Sequence, residues 1–524
     1  MPIATIHSFK TVGTQAVPVT VECEISSGIG IHLVGLADAA VKETLLRTIT
    51  AMETLGYIIP GKKIIINLAP ADLRKDGTGY DLPIALAIRA ASGKADLPDA
   101  DKYIVAGELA LDGSVRHVHG YIQAAELARR EGKALLLPRA AADLAAEVMK
   151  ESVDIFEIDS IPTAVQTLEG KRPACTAWEH VCKMQEDKPA EGRNLWDSIK
   201  GNYGAKRALE IAAAGGHGVL LVGGPKSPKA MLAKAMLDIL PPLSAEENLE
   251  VQRIHAVNSN FIENGRRPFE QVSASVSLQA LLGGGLGARP GRVSLAHLGV
   301  LLIDNAAILP KSALEALRAP LEDKAVTISR LKEKVTYPAD FIPVLATLPC
   351  PCGHYGEGET CTCTPGQREA YLARLSGPVF DRLAVQAWTQ NAKNPEALPD
   401  GESAQAVAKR VAKARQVQIE RQGKLNEELS MHDLDINFCS DAVKDFLGDI
   451  MCKLGLSVKA YYRILRLART IADLEGAEDI TTVHITEAAS YRFLDRRMEY
   501  ENENQEKTCH DHSPRSSTPA AAAA

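Results

Sequence analysis

The chain lacks an apolar run of the roughly 18 residues that a membrane-spanning helix needs, so no helical span is expected. Its first residues, MPIATIHSFKTVG, lack the basic flank and apolar core of a secretory signal, and a cytoplasmic location is expected. Positive charge is not in excess: 59 Lys and Arg against 66 Asp and Glu give a net charge of −7. That balance does not point to a general nucleic-acid binder, so any DNA contact needs a local basic patch. No internal repeat is present. Cysteine usage does not form a disulfide framework either. Four of the ten cysteines crowd between Cys350 and Cys363, which points to a metal site in a reducing compartment.

What is present is a chain of 524 residues with 46% hydrophobic and 24% charged residues, ordinary for a globular protein of three to four domains. Residues 1–170 alternate strand-like runs (VPVTVECEI, 17–25; KKIIINLAP, 62–70) with helix-like runs (40–56, 121–132), and Asp112-Gly113 signals a hairpin. Residues 171–198 lose periodicity and collect Lys, Glu, Asp and Pro, as a linker does. A second α/β block spans 199–398. Its short apolar runs GVLLVG (218–223), GVLLID (299–304) and FIPVLAT (341–347) suit strands buried on both faces of a parallel sheet. Residues 399–497 read as helical, with 458–476 strongly amphipathic, and 498–524 as a disordered tail.

A strand, glycines and a helix opening with Lys and a hydroxyl residue together make a phosphate loop. Backbone N–H groups cradle phosphate, the Lys adds charge and the hydroxyl holds magnesium. Here Gly223 and Gly224 follow the strand, and Lys229 opens the helix. Pro228, however, stands where an N–H is needed, and Ala230 stands where the hydroxyl belongs. Losing two charge-assisted contacts costs about 3–6 kcal/mol, a factor of about 100 to 10,000 in affinity. The run LLIDNAA (301–307) keeps Asp304 for magnesium but has Asn305 where a general base would prime water. An amide takes no proton, and removing a general base costs about 10²–10⁴-fold in rate. Taken alone, GGPKSPK also reads as a plain strand-to-helix turn.

The segments HLVGLADAAVKET (32–44), NLAPADLRKDGTGYDLPIA (67–85), GELALDGSVRHVHG (107–120), AKRALEIAAAGGH (205–217) and GGGLGARPGRVSLAHLGVLLID (283–304) carry a resemblance, in this order. So do EALRAPLEDKAVTISR (315–330), PCPCGHYG (349–356), RLSGPVFDRL (374–383) and YRILRLARTIADLEG (462–476). The chain resembles the magnesium-chelatase-like AAA+ ATPases of the ComM/YifB type up to about residue 497. The resemblance implies an α/β protein: a ribosomal-S5-like, Lon-protease-like N-terminal domain, a P-loop AAA+ core and a helical C-terminal lid. Members look like hexameric ATP/Mg2+-using motors, some of them branch-migration helicases. Thr78-Gly79 stands where Lon protease places its serine, and 119–125 lacks the partnering lysine, so no proteolysis is expected.

Carried over residue by residue, Lys229 is the phosphate lysine and Asp304 the magnesium carboxylate. Arg374 and Arg382 fall where an arginine finger acts across a subunit boundary. Leu348 replaces a polar sensor, Lys459 replaces the lid arginine, and VSAS (272–275) replaces a His-containing stretch. Pro228, Ala230, Asn305, Leu348 and Lys459 all depart from the pattern, whereas the scaffold motifs survive. The expectation is a ring-forming AAA+ protein with weakened ATP binding and little or no hydrolysis, as a homo-hexamer or beside an active paralogue. An active DNA motor and a magnesium-chelatase-type subunit stay open as alternatives.

Cys350-x-Cys352 and Cys361-x-Cys363, eight residues apart, can meet tetrahedrally around a structural Zn2+; the other reading is a reduced cysteine loop. Arg330, Lys332 and Lys334 lie near a hairpin tip that in related motors lines the pore and touches DNA; a solvated turn is the other reading. Arg463, Arg466 and Arg469 share a helical face toward nucleotide, a neighbouring subunit or acids of their own domain. Lys409, Arg410, Lys413 and Arg415 read as a solvated face.

Overall fold

Period-two burial builds the first sheet. In β2 (Gln15–Ser26), Val19, Val21, Cys23 and Ile25 point into the core, while Glu22 and Glu24 alternate with them. The computed structural model describes residues 3–35, 39–73, 75, 77–171, 176–185, 194–258, 260–285, 287–329, 334–356, 361–375, 379–391, 398–437 and 440–494. The sheet also holds β1 (Ala4–Val12), β3 (Gly30–Val34), β4 (Lys63–Ala69) and β5 (Tyr103–Val105). A short hairpin of β6 (Glu108–Leu109) and β7 (Val115–Arg116) pairs Leu109 with Val115 around the Asp112-Gly113 turn, where Gly113 takes a φ of 82°. The strands β8 (Ala134–Pro138) and β9 (Ile155–Ile158) complete the order β3-β4-β2-β1-β5-β8-β9. The helix Asp81–Ala91 fills one face. The helices Tyr121–Glu131 and Arg139–Met149 cover the other, against Leu135 and Leu137. Residues 171–198, read as a linker, contain the helix Ala177–Gln185, which buries Ala177 and Val181 against this second face.

The three apolar runs of the second block become central strands. β10 (Gly218–Val222), β14 (Val300–Ile303) and β17 (Ile342–Thr347) are buried along their whole length. With β11 (Phe269–Val272) and β18 (Leu383–Trp388) they form a five-stranded, all-parallel sheet in the order β11-β14-β17-β10-β18. Between them run two small hairpins: β12 (Gly283–Gly284) with β13 (Arg289–Pro290), and β15 (Ala325–Ser329) with β16 (Lys334–Pro338). The helix Ala245–Val257 bridges to the N-terminal sheet. Its Arg253 side chain pairs with Glu126, and Gln123 Nε2 donates to the Arg253 carbonyl at 2.7 Å.

The C-terminal part is helical. Val458–Glu475 starts at Ser457, whose hydroxyl accepts the Ala460 N–H, and stops at Gly476 in the left-handed region. Its apolar stripe, Ile464, Leu465, Leu467, Ala468 and Ile471, packs into one core with the helices Tyr203–Gly215 and Ala404–Gln422. Truncating a fully buried leucine such as Leu467 to Ala would cost about 2–5 kcal/mol. No helix among the described residues is long and apolar enough to cross a membrane.

Candidate nucleotide site and cysteine cluster

In a parallel sheet the carboxyl ends of the strands face the ligand crevice. β10 delivers Gly223 to that edge and β14 delivers Asp304, with β17 between them. Two strand spacings separate the two positions by roughly 10 Å, room for a phosphate group and an ion.

Gly223 is required sterically: a Cβ there would meet Thr389 Oγ1 at 2.2 Å and the Thr389 carbonyl at 2.4 Å. The loop then turns so that Lys229, only 6% exposed, points back into it. Its ammonium donates to the Gly223 carbonyl (2.8 Å), the Gly224 carbonyl (2.6 Å) and Ser227 Oγ (3.0 Å). An ammonium has three protons, and these three acceptors match them. Ser227 Oγ is itself held by Thr389 Oγ1 at 2.9 Å, so residues absent from the motif brace the loop. Pro228 occupies the helix N-cap without a side-chain cap, and the helix Lys229–Ala235 begins without a hydroxyl at Ala230. In this arrangement the Lys229 amine is held by the loop's own backbone, and Pro228 offers no N–H.

Across the crevice, one Asp304 carboxylate oxygen accepts the Asn305 N–H at 2.9 Å. Asn305 sits in the left-handed region (φ 54°), a conformation asparagine tolerates. Leu348 follows β17 and packs with the apolar cluster beneath this edge.

Arg382 and Lys459 do not reach this crevice within one chain, whereas Arg374 sits in the turn Ala373–Leu375, which packs against Ala306–Ile308 just after Asp304. Arg382 immediately precedes β18, beside Gly218 at the opposite end of β10. The strand between the two edges is roughly 16 Å long. Both Arg374 and Arg382 are exposed, and neither guanidinium makes a hydrogen bond or ion pair among the described residues. Lys459 stands with Arg382: its amine lies 3.0 Å from Asp381, which Arg463 also approaches at 3.2 Å. Burial raises the Asp381 carboxyl, but Lys459 and Arg463 outweigh it and hold the group below the ordinary carboxylate range. Asp381 was not foreseen from the sequence. Arg466 donates to the Leu429 carbonyl. Arg469 bonds Asp473 and the carbonyls of Ala477 and Glu478, so these two arginines are used inside their own domain, while Arg463 reaches Asp381 of the preceding block. Arg415 is not on a solvated face: its Nε donates to the Ala213 carbonyl at 2.7 Å, and burial pulls its guanidinium down to about 9.

All four clustered cysteines are free thiols, and their sulfurs lie within 4.8 Å of one another. The Sγ separations are 3.3 Å (Cys350–Cys352), 3.5 Å (Cys352–Cys361) and 3.7 Å (Cys350–Cys361). A disulfide needs about 2.05 Å. A tetrahedron of 2.3 Å metal–sulfur bonds has edges of about 3.8 Å, close to the observed values. The His354 backbone N–H, donating to Cys352 sulfur, is the largest influence that draws this thiol down to about 5, toward the thiolate a metal takes. The donor set can therefore hold a soft or borderline ion.

Of the basic hairpin, only Lys334 is described: it is exposed and pairs across the ladder with Ser329; Arg330 and Lys332 lie outside the described residues. In the N-terminal sheet, Thr78 Oγ1 donates to the Glu108 carboxylate, an acidic partner rather than an amine.

The strand order, the loop after β10, the acid after β14 and the helical part that follows define a P-loop AAA+ core with a C-terminal helical domain. "Magnesium chelatase, subunit ChlI" matches residues 196–397, "Subunit ChlI of Mg-chelatase" matches 21–141, and "Magnesium chelatase, subunit ChlI C-terminal" matches 401–492. The chain belongs to this magnesium-chelatase-like family, in the group of YifB and ComM. It is 41% identical over 514 residues to YifB of Salmonella typhimurium, covering 95% of this chain and 98% of that protein. It is 40% identical over 511 residues to YifB of Escherichia coli (95% and 98%), and 38% identical over 515 residues to the competence protein ComM of Haemophilus influenzae (95% and 99%).

Proposed function

We propose that the chain is a ring-forming AAA+ scaffold or regulator in DNA-related processes, with weakened ATP binding and little or no hydrolysis. The observation that carries this reading is Lys229, whose ammonium is taken up by the Gly223 and Gly224 carbonyls next to a proline at 228. Asn305 and Leu348 extend the loss to the water-activating side. Arg374 and Arg382, both exposed, are the half of the machinery a neighbour would use. That division favours a ring, either a homo-hexamer or a co-assembly with an active paralogue. DNA enters the proposal through the competence name of ComM and the basic hairpin at Arg330, Lys332 and Lys334. The cysteine cluster holds structural Zn2+, and Thr78 with its Glu108 partner performs no proteolysis. The units are 1–170, 199–398 and 399–497, joined by 171–198, in the cytoplasm.

Phosphate release from purified protein with ATP and Mg2+, with and without single-stranded DNA, tests the reading. The expected result is no turnover above that of Lys229→Ala. Turnover that Lys229→Ala abolishes would establish the active-motor reading instead.

A further inference from the structure

We propose that Asp143, Glu157 and His180 form a second metal site, for one divalent first-row cation of the Zn2+ or Mn2+ kind. Their ligand atoms lie within 4.8 Å of one another, far from the cysteine cluster in sequence and on the N-terminal sheet. Three separate elements supply them: Asp143 from the helix Arg139–Met149, Glu157 from β9 and His180 from the helix Ala177–Gln185. His180 Nδ1 stands 3.1 Å from an Asp143 oxygen and 3.1 Å from a Glu157 oxygen. One ring nitrogen thus faces two carboxylates at once. Around an ion with bonds of about 2.0 Å to nitrogen and oxygen, a tetrahedron has edges of about 3.3 Å, so both separations suit a shared ion. Two hard carboxylates and a borderline imidazole together take Zn2+ or Mn2+, with water completing the shell, whereas the four thiolates prefer softer ions. All three side chains are between a quarter and a third exposed, which leaves an entry path.

The competing occupant is Arg139. Its guanidinium lies 3.2 Å from His180 Nε2 and 3.5 Å from Glu157, and it is 65% exposed. It can swing into water when an ion takes over the neutralising role. The consequence is mechanical. His180 belongs to the helix within the stretch that joins the N-terminal sheet to the motor core, and an ion there clamps that helix to the sheet.

The test uses the full chain stripped of metal. Calorimetric titration with Zn2+ is expected to show two equivalents. His180→Gln and Asp143→Asn each remove one and keep the cysteine-bound one, whose retention shows that the variant is folded. Arg139→Ala tightens the second equivalent by about tenfold, which is 1.4 kcal/mol. Titration with Mn2+, followed by loss of the free-ion spin-resonance signal, shows one site in the wild type and none in His180→Gln. A wild type whose only Zn2+ equivalent survives in His180→Gln overturns the proposal. So does a His180→Gln isotherm equal to the wild type, or an Arg139→Ala isotherm that does not change.

Discussion

Gly353 of the cysteine loop lies against Pro225 of the phosphate loop: a Cβ added at Gly353 would stand 3.0 Å from Pro225 Cγ. Gly353 also takes a φ of 84°. The cysteine cluster and the loop after β10 therefore share a wall. Gly353→Ala is expected to lower stability by about 1–3 kcal/mol, combining left-handed strain with the contact on Pro225. With zinc at the cluster, as proposed, Cys361→Ser should lose that ion and destabilise the same region. Urea unfolding and metal analysis check both. A Gly353→Ala midpoint equal to the wild type would mean the two loops do not press on each other.

Restoring Gly at 228 and Ser at 230 returns an N–H and a hydroxyl to the loop. Affinity for a fluorescent ATP analogue is expected to rise by about 100-fold to 10,000-fold, from two contacts of roughly 1.5–3 kcal/mol each. Adding Asn305→Glu supplies the missing base and should raise turnover by about 10²–10⁴-fold over the double variant. An unchanged binding curve would show that Lys229 is not a phosphate lysine.

The central sheet was legible because β10, β14 and β17 are short apolar runs with polar ends, the signature of strands buried on both faces. The turn from β10 into the helix Lys229–Ala235 was legible because Gly223 and Lys229 follow such a run. Three things were not. The helix Ala177–Gln185 lies in a charged stretch where only Ala177, Val181 and the packed Trp178 mark an inner face, too few for a periodic signal. The destination of Lys459 depends on how the helical domain docks, and a local pattern says nothing of a partner such as Asp381, 78 residues away. The Asp143–Glu157–His180 cluster joins residues from a helix, a strand and the presumed linker, with no motif spacing to reveal it.

Arg382 and Arg469 should respond in opposite ways to truncation. Arg382 is exposed and makes no bond among the described residues, so Arg382→Ala is expected to move stability by no more than about 0.5 kcal/mol. Arg469 is 1% exposed and bonds Asp473 and two carbonyls; Arg469→Ala leaves Asp473 with Arg421 and Asn426 but strips the carbonyls of their donor, and costs about 1–3 kcal/mol. If Arg382 serves a neighbour, its loss should still lower the ATPase rate of an active partner mixed with this chain, by about 10³-fold for a finger arginine. Equal partner rates with and without Arg382 would remove it from that role.

His255 makes the junction between the motor core and the N-terminal sheet sensitive to acid. It is 3% exposed on the helix Ala245–Val257, and its Nε2 lies 2.9 Å from the Leu295 carbonyl, the geometry of a neutral ring donating there. Burial pulls its pKa from 6.5 down to about 4, against a smaller upward pull from that carbonyl. Between those two values the unfolded chain takes up a proton that the folded chain refuses. Stability from this group is therefore present above pH 6.5 and is lost as pH falls toward 4, by about 3 kcal/mol at the lower end. His297, also lowered by burial, adds a slope of the same sign. His255→Gln keeps a donor for Leu295 but cannot titrate. Its urea midpoint should lie below the wild type at pH 7.5, and the gap should close as pH approaches 4.5. Parallel curves for the two proteins across that range would remove His255 as the source of the acid sensitivity.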